Sequence, residues 1–164
     1  MTYIPKKTIN FIDATEASHA GSTSEVIMKS FFIPAGTIKV GDVLRTYFMC
    51  KKETILAQMT NRVYLNTSNS LTAAIPLDNY NTNARTHYHE QILIVRPNEL
   101  LPTFNRTLTN VSSYPHGGNA EILSSLLATG INYNVDNYVL FTSKLDDATE
   151  LVTNYLAQVK IIKQ

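Results

Sequence analysis

The sequence predicts an all-β domain with at most one or two short helices, and three observations lead there. The first is the stretch 26–52, in which two apolar runs, 26–33 and 43–50, are joined by Pro34-Ala-Gly-Thr-Ile-Lys-Val-Gly-Asp42. Phe31, Phe32, Leu44, Tyr47 and Phe48 suit a pleated, half-buried surface, and Pro34, Gly36 and Gly41-Asp42 stop a helix from running through. The second is a polar bias that is not a charge bias, with 15 Asn and 19 Thr but only 16% charged residues. Threonine favours strands and asparagine favours turns, as many short strands with wet loops require. The third is the run 26–33 itself, where Val26, Met28 and Phe32 alternate with Ile27, Phe31 and Ile33. One solvated sheet face would not tolerate apolar residues on both sides, so this strand needs a second cover.

Taken in order, residues 1–24 carry Pro5, two lysines and small polar residues without a sustained period. They read as an extended N-terminal arm, with one short strand at 8–12, that can dock on a neighbour. Residues 25–164 form the body. After the opening pair of strands comes 55–65, strand-like at Arg62-Val-Tyr-Leu-Asn66 and ended by Asn66-Thr-Ser-Asn-Ser70. Residues 71–85, with Pro76, Asp78, Asn79, Asn81 and Asn83, argue for a surface loop with one helical turn at 71–75. The segment 86–96 is a strand that enters the core through Ile92-Leu-Ile-Val95 and is bracketed at its exit by Pro97 and Pro102. A weaker strand at 103–111 leads to Tyr114-Pro-His-Gly-Gly118, an open loop and a candidate contact tip. Ile122, Leu123, Leu126 and Leu127 sit at helical spacing between Asn119 and Gly130, which favours a helix over 119–129. Strand character returns at Tyr138-Val-Leu-Phe141. The last run, 151–162, fits a helix stripe through Leu151, Val152, Tyr155, Leu156, Val159 and Ile162, and fits period two through Tyr155, Ala157, Val159 and Ile161. Its richness in β-formers decides for strand.

The totals bound what such a domain can be. At 164 residues the chain buries a good core as one domain without staples. A net charge of +1 leaves no electrostatic footprint for nucleic acid and no polybasic patch for a membrane. No apolar stretch approaches the roughly 20 residues needed to span a bilayer, and no leader-like n-region and h-region opens the chain. The single Cys50 cannot bridge internally, so a soluble product of a reducing cytoplasm is expected. Asn66, Asn105 and Asn110 open glycosylation acceptor patterns, which a chain this rich in Asn and Thr produces by chance.

The run Phe32-Ile-Pro-Ala-Gly-Thr-Ile-Lys-Val-Gly-Asp-Val-Leu-Arg45, the segment Arg62-Val-Tyr-Leu-Asn-Thr67, and Asn137-Tyr-Val-Leu-Phe141 followed by a final β-run resemble the trimeric fibre modules of tailed-phage virions, over residues 25–164. The resemblance implies a jelly-roll-like antiparallel β-sandwich of the kind found in head fibres, capsid decorations and tail fibres, fixed to the particle by an N-terminal arm or stalk. It implies a homotrimer located on the virion, with other virion proteins and a host-surface glycan as further partners, and it transfers no catalytic residue and no cofactor. Neither a long coiled-coil stalk nor a repeated needle motif occurs, which leaves the mode of attachment open. Burying a second strand face against a like chain offsets the cost of exposing it, so Ile27, Phe31 and Ile33 are the expected oligomer interface. The alternative is a central strand covered by its own sandwich.

Candidate chemistry is sparse. His87 and His89, spaced i, i+2 on a strand, project from one face and are weak metal candidates, although two ligands per chain do not close a site and a solvated pair is the simpler reading. His19 and His116 fall in loops. Asp146, Asp147 and Glu150 form the densest acidic cluster, whose simpler reading is a solvated turn or cap. No nucleophile elbow or phosphate loop occurs, and no enzymatic activity is expected. Tyr80, Tyr88 and Tyr114, in or beside loops, are of a type that stacks on sugar rings, and Tyr114 with His116 is the first candidate ligand-binding pair.

Overall fold

The computed structural model describes residues 7–53, 57–82, 86–109 and 127–164. Among them, two antiparallel sheets pack face to face as an all-β sandwich. The strands are β1 (Thr8–Asp13), β2 (Ala17–Ala20), β3 (Val26–Ile33), β4 (Val43–Lys52), β5 (Met59–Asn66), β6 (Ile75–Thr82), β7 (Thr86–Arg96), β8 (Glu99–Thr109), β9 (Ala128–Thr129), β10 (Asn137–Leu145) and β11 (Leu151–Ile162). The larger sheet runs β1-β11-β4-β7-β8-β9 with β2 also on β11, and the smaller runs β3-β10-β5-β6. The pairings nest, β1 with β11, β3 with β10, β4 with β7 and β5 with β6, as in one long hairpin rolled across two sheets. That winding is jelly-roll-like.

The strand 26–33 turns Phe31 and Ile33 into the chain's own sandwich, which corrects the reading of those two residues as an interface. Its register with β10 slips between Phe141 and Thr142, so Met28 is an extra, bulged residue. The slip exchanges the two faces midway. Val26 before the bulge, and Phe31 and Ile33 after it, all reach the same interior, where Phe31 meets Phe141 edge-on at 5.8 Å. Phe31 and Ile33 therefore belong to the chain's own core. Ile27 is half-buried, and Phe32 points outward, 46% exposed.

Other expectations meet the same kind of local irregularity. The loop expected over 71–85 contains β6, entered by a turn with Ala73 at φ 58° where a helical turn was expected. A bulge at Leu77 lets Pro76 sit in that strand, which has a partner on one side only. Likewise Pro102 sits in β8 next to a bulge at Thr103, and Pro97-Asn98 makes the two-residue turn before it, with Asn98 at φ 58°. Residues 119–126 lie outside the described residues, while Ala128 and Thr129 form β9. The last run is a strand, and a bulge at Tyr155 explains its helical look. Inward residues Val152 and Asn154 are followed, three positions on, by Ala157, Val159 and Ile161. Of the segment read as an arm, β1 and β2 hydrogen-bond to β11 of the same chain, and Lys29 Nζ ties their connection to β3 through Thr15 O at 2.6 Å and Asp13 at 2.9 Å.

Candidate functional site

The space between the sheets changes character along the strands. At one end it holds Leu44, Leu93, Val95, Val159 and Ile161, as a sandwich core should. Toward the other end the same alternation delivers polar groups. Cys50 lies opposite Asn154, which donates to its sulfur at 3.4 Å, and Ser143 Oγ bonds Asn61 Oδ1. His89 Nε2 bonds the Asp78 carboxylate, with the imidazole stacked on Tyr80 at 5.4 Å and tilted against Phe48 at 5.2 Å. Gln91 Nε2 donates to Leu77 O at 2.8 Å. Lys52 Nζ lies 3.1 Å from Glu150 Oε2 and bonds Ala57 O, while Ala57 N donates to Glu150 Oε1 at 3.1 Å. Burial pushes the Cys50 thiol up to about 12, with bonds from Asn154 and Ser143 pulling the other way.

No member of this band is more than 2% exposed. These side chains are withdrawn from solvent, and their bonds across the sandwich help to fix strand register, with Gln91 Oε1 and Asn154 Oδ1 left without a hydrogen-bond partner among the described residues. Among the described residues, no three His, Cys, Asp or Glu side chains stand close enough to hold a metal ion.

The residues singled out in the sequence are dispersed by the fold. His89 is fully buried rather than solvated, because Asp78 from the strand hidden in 71–85 meets it across the sandwich. The side chain of His87 lies outside the described residues, as do Tyr114 and His116. His19 is not in a loop but in β2, with its ring buried. The acidic cluster separates. Asp147 accepts from Thr149 N and Oγ1, both at 2.8 Å, which holds its carboxyl below the usual range; Asp146 is exposed; Glu150 turns inward to Lys52. Tyr80 is an interior residue of β6, whereas Tyr88 is half-buried at a surface. Sequence reasoning missed Asp78, Lys52 and Glu150 as interior groups. For Lys52 a signal existed, since it continues the inward period of Leu44, Thr46, Phe48 and Cys50.

The surface that stands out is the outer face of the larger sheet. Register places Ile162, Val43, Ile94 and Leu101 in one row across β11, β4, β7 and β8. The next rows are Lys160, Arg45 and Ile92, then Gln158, Tyr47 and Glu90, then Leu156, Met49 and Tyr88. Beside them on β1 stands Ile12, 56% exposed, and Asn10 Oδ1 accepts from Gln158 Nε2 at 2.6 Å. A solvated antiparallel face is ordinarily polar, whereas two of these rows are wholly apolar or aromatic. At the centre Arg45 pairs with Glu90 and lies 5.3 Å over the Tyr47 ring, which sits 6.1 Å from Tyr88. Burial raises the Tyr47 phenol to about 12 against the opposing pull of Arg45.

The outer face of the smaller sheet is mostly polar. Glu25 gathers Thr142 Oγ1 at 2.5 Å, Arg62 Nη1 at 2.6 Å and Tyr64 OH at 3.2 Å. One aromatic pair stands beside this network, Phe32 and Tyr138, with centroids 5.3 Å apart. The sequence matches no protein-family model and no curated protein, so any functional reading rests on these surfaces and on the fold.

Proposed function

We propose that the chain is a structural subunit of a phage virion, a head-fibre, capsid-decoration or tail-fibre module that assembles into a symmetric multimer, a trimer, on the particle. The observation that carries this reading is the outer face of the larger sheet, where Val43, Ile94, Met49, Tyr88 and Leu156 stand in rows that an independent sandwich would fill with polar residues. Two features support it. The jelly-roll-like winding is shared with viral capsid domains, and also with lectins. The side chains of the interior polar band are buried and engaged with one another, as groups that hold a scaffold in register are. The partners in this reading are further copies of the chain and other virion proteins, without nucleic acid, membrane insertion or cofactor.

Light scattering on the full chain in metal-free buffer tests it. The expected mass is three times 18.3 kDa at micromolar concentration. A monodisperse single chain across that range sinks the reading.

A second reading, binding of a host-surface glycan, has one observation in its favour. Phe32 and Tyr138 form a half-exposed aromatic platform beside Glu25 and Arg62, the pairing of apolar face and polar rim that sugars occupy. Loss of glycan-array signal in Phe32→Ala supports it, and an array silent for the unaltered chain removes it.

A further inference from the structure

We infer that the copies meet through the outer face of the seven-stranded sheet, each turning Val43, Tyr47, Met49, Tyr88, Ile92 and Leu156 toward a shared threefold axis, where the same faces of its two neighbours gather. This rests on the multimeric reading above and adds to it the surface and the occupant, a second copy of this chain. The strand 26–33, where the alternation pointed, cannot serve, because Phe31 and Ile33 are already in the core of their own sandwich.

Three features select a like chain as the occupant. The first is area. Five neighbouring strands at about 4.8 Å spacing and seven residues of strand at about 3.4 Å rise give a patch roughly 24 Å on a side, on the order of 600 Å² per copy. Two such patches bury about 1,200 Å², the lower end of what specific, stable interfaces use. The second is the charge pattern. Near the middle of the patch Arg45 and Glu90 stand side by side as an ion pair, so the face carries both signs in one place and offers each to a copy of itself. A strongly acidic or basic partner would find no single-signed field to complement. The third is the chain's net charge of +1, which leaves almost no long-range repulsion between copies. The side chains also suit the task. Tyr47, Tyr88, Arg45 and Met49 are residue types enriched at interface centres. Tyr47 is held by the Tyr88 ring and by the Arg45 guanidinium before any partner arrives, which lowers the ordering cost of association.

The test compares four samples of the full chain by light scattering, with far-UV circular dichroism to confirm the fold. The unaltered chain and Phe32→Lys, a control on the opposite outer face, are expected at the multimer mass. Met49→Lys with Ile92→Lys, and separately Tyr88→Glu, are expected at the single-chain mass with an unchanged β spectrum. A footprint on the unaltered chain supplies an independent measurement should the charged variants fail to fold. Met49 is half-exposed on the patch, whereas Met28 and Met59 are buried in the core. Peroxide oxidation of Met49 is expected about tenfold slower at a concentration that holds the multimer than after dilution to the single chain. An unaltered chain that is multimeric, with face variants equally multimeric or with Met49 oxidising at one rate throughout, overturns the surface while the multimeric reading stands. Slow oxidation of Met49 in a chain that is always single would mean the face is covered from within, and overturns the inference together with the multimeric reading.

Discussion

The buried ion pair of Lys52 and Glu150 shows what single residues contribute to this fold. Both are withdrawn from water, 0% and 2% exposed at the side chain, so their attraction must offset two desolvation costs and the backbone groups of Ala57 complete their coordination. Removing one partner strands the other. Lys52→Met is expected to cost about 3–5 kcal/mol in urea unfolding, and Lys52→Met with Glu150→Leu to recover most of that, because well-packed apolar groups replace such pairs at little cost. A double variant as weak as the single one would mean that the pair does more than neutralise itself. None of this pairing was legible in the sequence. Lys52 follows an apolar run by period two and so announces an inward position, but which carboxylate would meet it depends on the register of β11, and Glu150 looked like part of a solvated turn with Asp146 and Asp147. The same holds for His89, whose partner Asp78 sits in a segment whose Pro and Asn content argued against any strand.

At the scale of elements, bulges separate what was readable from what was not. The strands at 26–33, 43–52, 86–96 and 137–145 declare themselves by composition, and so does the choice of strand over helix at 151–162. What period-two reading cannot see is an extra residue that exchanges the faces. Met28 made β3 look apolar on both sides, and Tyr155 made β11 look helical, since one inserted residue turns a spacing of two into a spacing of three. The corrected faces predict a contrast within one strand. Phe31→Ala, which removes a ring packed edge-on against Phe141, is expected to cost about 3–5 kcal/mol in chemical denaturation. Phe32→Ala, one residue away and facing outward, is expected to stay within about 1 kcal/mol. Equal costs would place both rings in a buried environment and contradict the bulge.

At the scale of the whole molecule, the titrating groups that burial disturbs among the described residues lie mainly on the alkaline side. Cys50, Tyr47 and Tyr133 are each pushed up to about 12, in every case by burial first. A raised value on a group that ionises to an anion means that the unfolded chain gives up its proton first. Their contribution is therefore full below about pH 9, where the unfolded thiol begins to ionise, and is lost as pH rises toward 12. On the acid side Asp13 is lowered to about 2, by the Thr15 hydroxyl first and then by Lys29. Its contribution is full above the ordinary aspartate value of 3.8 and is lost as pH falls from there toward 2. Melting temperature against pH should show a plateau between these limits. Steady loss from pH 7 to 9 would mean that a group outside this set governs alkaline stability.

The nested order of the pairings bears on how the molecule comes to exist at all. Thr8 is matched with Ile162, and β4 inside its sheet waits for β11, so the early strands of this sandwich are completed by a strand more than a hundred residues later. Loop closure between residues as far apart as Thr8 and Ile162 must be met before those contacts repay it, which places such topologies among the slow folders, in milliseconds to seconds. While the nascent polypeptide lengthens, the greasy sides of β1, β3 and β4 stay open until the ribosome has released β11. Yield during expression should then depend on chaperone supply and growth temperature more than on the stability of the finished fold.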